Sequence, residues 1–132
     1  MSKIKIELNE KQAEIIADAL EVYSRLIAGD LKSALLPPVM MFGKKIENEK
    51  FDSTLYQLKK VLFPKLDYYE NNGISMEEDT KELTETKHIS YEMYKMIRYY
   101  FESKSNYLGY SVYKEKPIQL SNEKFIEIKE GV

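Results

Sequence analysis

The side chains that could do chemistry are few and scattered. The one histidine, His88, has no second histidine for a His-Glu-x-x-His zinc pair, and a chain without cysteine offers neither thiolate ligand nor thiol nucleophile. Ser90 lies two positions beyond His88. Residues two apart on a helix point in different directions, so this pair does not make the nucleophile and base of a hydrolase. Glu77, Glu78 and Asp79 could serve acid–base or Mg²⁺ chemistry. They fall within 70–85, where six acids face one lysine, Lys81, the pattern of a solvated acidic loop. The five glycines are dispersed, and none opens a phosphate loop with a Gly-Lys-Ser/Thr signature. No catalytic residue, metal ligand or cofactor site is predicted.

What the chain does concentrate is tyrosine. Seven of its eleven tyrosines fall between Tyr91 and Tyr113, with Phe101 among them. At ~100° per residue, Ile89, Met93, Met96 and Tyr100 project within about 60° of one another, and Lys87, Tyr91, Tyr94 and Arg98 do so on the opposite side. Lys95 flanks the second stripe. Tyrosine joins a flat apolar ring to a hydroxyl, and Lys or Arg adds charge for a carboxylate or phosphate. These residues, with Arg25 from an earlier helix, form the candidate binding set: packed in the core, contacting a protein, or holding a nucleotide. If the target is a protein, replacing both Tyr94 and Arg98 by alanine should abolish its binding with stability nearly unchanged, and a large loss of stability would show these residues to be core and sink the binding face. Residues 86–116 carry six Lys or Arg against three acids, an excess too modest for extended nucleic acid.

The elements that must position this set follow from periodicity. Alternation over 3–8 predicts a half-buried strand with Ile4, Ile6 and Leu8 inward. Asn9 and Gln12 have the spacing of a capping box, so a helix begins at Glu10. Its apolar stripe is Ala13, Ile16, Ala17, Leu20, Tyr23, Ile27 and Leu31; Gly29 weakens it and Pro37-Pro38 should end it. Residues 35–43 form an apolar connector whose Val39, Met40, Met41 and Phe42 either plug the core or meet another subunit. A second helix fits 49–62, with Phe51, Leu55, Leu58 and Leu62 on one side and Pro64 as its stop. A third begins at Glu82 or Thr86 and runs to Ser103, and two strand-like stretches follow at 110–113 and 123–129. The expected fold is α+β: three main helices with a small antiparallel sheet made from the two ends of the chain.

Bulk composition agrees with one globular domain over 1–132, at 43% hydrophobic and 32% charged residues. A formal charge of −2 gives no global attraction to nucleic acid or an anionic membrane. The opening Met1-Ser2-Lys3-Ile4-Lys5 lacks the apolar run of an export signal. No stretch approaches the ~20 apolar residues of a membrane span. A cytoplasmic protein is expected.

Lys5-Ile6-Glu7-Leu8, the helix start Glu10-Lys11-Gln12-Ala13, the run from Ala19 to Leu26 and the later one from Ile89 to Arg98 together resemble a group of small phage and prophage proteins of low-GC Gram-positive bacteria. The likeness covers about half the chain, in two helices, and brings no catalytic residues with it. It implies a role class: accessory proteins that bind and block a host component, or sequester a nucleotide immune signal. The expected function is therefore non-enzymatic, stoichiometric binding of a host protein by a small homo-oligomer. The alternatives are a nucleotide sponge at a subunit interface and a small enzyme without a recognisable motif.

Overall fold

A computed structural model describes residues 2–41, 47–67, 81–104 and 112–131. Four helices organise them: α1 (Glu10–Ile27), α2 (Leu31–Met41), α3 (Asn48–Leu62) and α4 (Lys81–Ser103), followed by a 3-10 turn at Val112–Lys114. The capping box forms as the spacing requires. The Asn9 side chain accepts from the Gln12 amide at 2.8 Å, and the Gln12 side chain accepts from the Asn9 amide at 3.0 Å.

The α+β expectation is overturned. Among the described residues there are helices and no strand. The N-terminal segment forms no regular element, and Ile4 is 84% and Ile6 73% exposed, so its alternation does not face a core. The C-terminal stretch forms no regular element either, yet its Ile126 and Ile128 pack against a helical cluster of Ala17, Tyr94 and Ile97. An alternating pattern reports that one side of an extended chain is apolar; it does not say whether a strand or a helix pair covers that side. Of the stretch at 110–113, residues 112 and 113 belong to the 3-10 turn, and the rest lies outside the described residues.

Pro37 and Pro38 do not end a helix either. Gly29, at φ +78°, makes the break, and the prolines sit inside the next helix. The left-handed conformation favours glycine, and a Cβ there would also meet Leu66 Cδ1 at 3.0 Å. Pro37 has no N–H to give the Ser33 carbonyl, four residues back. Arg25 supplies a substitute, its Nη1 donating to that carbonyl at 3.0 Å.

The apolar seam of α1 shifts slightly from the expected stripe. Ala13, Ile16, Ala17 and Leu20 pack as expected, but Tyr23 is half exposed and Ser24 is buried in its place. The steps 13, 17, 20, 24 keep a seam facing one partner helix, and that partner is α4. α1 also meets α2, and α3 packs on α2. At the far end of α4, Lys104 pairs with Glu130 and approaches Glu10 at 3.9 Å, drawing the start of α1 and the C-terminal segment together. Among the described residues no helix is long and apolar enough to cross a membrane.

Candidate functional site

The Lys87, Tyr91, Tyr94 and Arg98 stripe of α4 turns toward α1. Lys87 is 1% and Tyr94 6% exposed, so these two belong to the interior. Tyr91, Lys95 and Arg98 are half buried along the rim of the same seam. The opposite stripe, Ile89, Met93, Met96 and Tyr100, is only partly buried. Met96 lines an open groove of about 570 Å³ beside the C-terminal segment, with Phe125 and Ile128 among its other walls. α4 is thus the central helix, covered on more than one side.

The rim is a cluster of rings and charges. Tyr91 and Tyr94 meet edge to face, with centroids 5.7 Å apart and planes at 83°. The Lys95 ammonium lies over Tyr113 at 4.8 Å, Tyr91 at 5.5 Å and Tyr94 at 6.0 Å. The Arg98 guanidinium lies 5.3 Å from the Tyr113 ring and 5.8 Å from that of Tyr94. Arg98 Nη2 is 2.5 Å from Glu21 and 2.8 Å from Asp18, and Arg25 Nη2 is 2.6 Å from the other Glu21 oxygen. Two arginines therefore share two carboxylates, with the Lys95 ammonium as a third cation beside them. None of the ion pairs resolved among the described residues includes Lys95.

Of the candidate binding set, the structure gathers Tyr91, Tyr94, Lys95, Arg98 and Arg25 in one place and encloses Lys87. The subunit-contact candidates stand apart. Val39, Met40 and Met41 form the last turn of α2, while their side chains and all of Phe42 lie outside the described residues. Glu77, Glu78 and Asp79 also lie outside them. Sequence reasoning missed Asp18, Glu21 and Tyr113. The acids had a signal: no Lys or Arg occurs between Gln12 and Ser24, facing a helix whose inner stripe carries Lys and Arg. The hydroxyl of Ser90 donates to the Thr86 carbonyl at 2.7 Å, and His88 is buried.

A second polar site pins the C-terminal segment. The buried Glu92 carboxylate accepts from the Leu120 amide at 2.8 Å, the Ser121 amide at 2.7 Å and the Ser121 hydroxyl at 2.5 Å. It is the polar joint that carries the chain after residue 116 back across α4.

Burial, then the Glu21 carboxylate, pushes the Tyr94 hydroxyl up to about 12, with Arg25 acting the other way. Folding thus favours the neutral phenol. That stabilisation is complete below pH 10 and fades as pH rises from 10 toward 12. Lys95 acts in the opposite sense. Desolvation pushes its ammonium below the ordinary value, Arg25 and Arg98 add to this, and Glu21 opposes it. In an alkaline titration, the Tyr94 phenolate absorbance should appear together with loss of helical signal above pH 10. Tyr94→Phe should remove that component. A Tyr94 that ionised with the exposed tyrosines would contradict the seam.

Compared with protein-family models, curated proteins and solved structures, the chain matches none of them.

Proposed function

We propose that this chain is a non-enzymatic, phage-type accessory protein that acts in the bacterial cytoplasm by stoichiometric binding to a host protein. The contact is the rim formed by Tyr91, Lys95, Arg98 and Tyr113. The observation that carries this reading is the placement of Lys95: a half-buried ammonium over three tyrosine rings, beside two arginines that already share the nearby carboxylates. A partner carboxylate arriving there meets an excess positive charge and a partly desolvated setting, where a charge-assisted hydrogen bond is strong. The rings around it are the amphipathic kind that dominate protein interfaces. The resemblance of the α1 and α4 sequences to phage accessory proteins favours a host target.

Lys95→Glu tests this at the rim, leaving the buried Tyr94 and Ile97 in place. Bound protein should co-purify with the wild-type chain from a Gram-positive bacterial lysate. The variant should lose it by tenfold or more, as expected on reversing one charge of a desolvated interface pair. Its helical signal should be retained. A partner that binds the variant equally well would refute the rim as the contact. Retention of an anionic nucleotide, instead of a protein, by the wild type alone would assign the same rim to the sponge reading.

A further inference from the structure

The groove beside Met96, on the opposite stripe of α4 from the rim, has walls that are the two arms of one turn. Lys116 and Gln119 lie on the first arm and residues 124–129 on the second. Glu92 holds the turn through the Leu120 and Ser121 amides. The Gln119 side chain braces it, donating to the Glu123 carbonyl at 2.9 Å and the Ser121 carbonyl at 3.3 Å. The groove is therefore built in advance, which spares a ligand the cost of ordering it. We propose that it binds an acidic peptide, added in extended form as a strand along residues 124–129.

The backbone selects the form of the occupant. Ile126 and Ile128 anchor the second arm on the helical cluster, yet among the described residues no hydrogen bond reaches the backbone of 124–129. An anchored stretch with open N–H and C=O groups is a template for strand addition, where main-chain hydrogen bonds give affinity and side-chain contacts give specificity. Charge selects its composition. Lys116 and Lys124 are exposed, one on each arm, and no ion pair resolved among the described residues includes either. Lys116 lies over the Phe125 ring at 5.3 Å, whereas Lys129 is already matched by Glu127 at 3.6 Å. The groove thus carries an excess of positive charge in a chain whose formal charge is −2, and that excess attracts carboxylates. Side chains of a strand alternate sides at ~3.3 Å per residue, so a peptide of about six residues matches 124–129. Every second residue is apolar and rests on Met96 and Phe125, and the acids between them meet the two lysines.

Fluorescence anisotropy of the full chain with a labelled, end-capped peptide of alternating glutamate and valine tests this. The wild type should bind it saturably. The double variant Lys116→Glu/Lys124→Glu should bind roughly tenfold more weakly or worse, with helical signal intact because both side chains are exposed. Methylating alternate backbone nitrogens of the peptide should weaken it comparably, since that removes the donors of strand pairing. Amide exchange at 124–129 should slow when the peptide binds. Lys95→Glu should bind the peptide as the wild type does, which separates this groove from the rim. Should the lysine double variant lose helical signal, the methylated peptide and the exchange rates decide. A wild type that shows no saturable binding overturns the proposal. So does undiminished binding by a folded double variant or of the methylated peptide, unchanged exchange at 124–129, or loss of the peptide in Lys95→Glu.

Discussion

Glu92→Ala should lower the stability of the chain by roughly 2–4 kcal/mol, since burying a donor without its partner costs about 1–3 kcal/mol. The carboxylate accepts three hydrogen bonds from Leu120 and Ser121, and α4 holds it in the interior. Alanine removes the acceptors and strands two amides and a hydroxyl in a half-buried turn. Glu92→Gln keeps one acceptor oxygen in place and should lose about half as much. Urea unfolding measures the difference, with an unchanged slope showing that the folded states are comparable. Amide exchange supplies an independent check. Leu120 and Ser121 should be protected in the wild type and exchange quickly in Glu92→Ala. Fast exchange in the wild type would mean that the joint is not closed in solution.

Tyr94→Ala should be costlier, about 3–5 kcal/mol, the range for truncating a large buried aromatic side chain. The residue packs with Ala17 and Ile97 at the centre of the α1–α4 seam, and its ring meets Tyr91 edge to face. For a domain stable by about 5–15 kcal/mol this approaches unfolding. The double replacement of Tyr94 and Arg98 therefore cannot serve as a clean binding test, contrary to the sequence-based expectation, because it would remove core packing along with any contact. Tyr94→Phe keeps the ring and should cost on the order of 1 kcal/mol. A loss near zero for Tyr94→Ala, read by chemical denaturation, would place this residue on the surface.

The helices were legible where local chemistry sets them. Asn9 and Gln12 mark the start of α1, and the periodic apolar residues of α3 and α4 place both helices to within a residue or a turn. What the sequence hid was partnership. Ile126 and Ile128 alternate as in a strand, yet two helices cover them. Pro37 reads as a stop, yet an arginine from another helix occupies the carbonyl it leaves open. The inner stripe of α4 reads as a surface because lysine and arginine are usually exposed. Here acids from α1 meet Arg98, and burying its charge becomes tolerable only through contacts 77 and 80 residues away in sequence. Glu92 gave no signal at all, since a buried acid and an exposed one look alike until the chain returns to it.

A chain that works by holding a partner at the Lys95 rim should carry that partner through gentle purification. Native mass spectrometry of the protein purified from a Gram-positive bacterium tests it most directly. The spectrum should show the chain together with a second polypeptide in fixed stoichiometry, and Lys95→Glu should lose that added mass. A spectrum showing only copies of the chain itself, or an added mass that Lys95→Glu leaves unchanged, would contradict it.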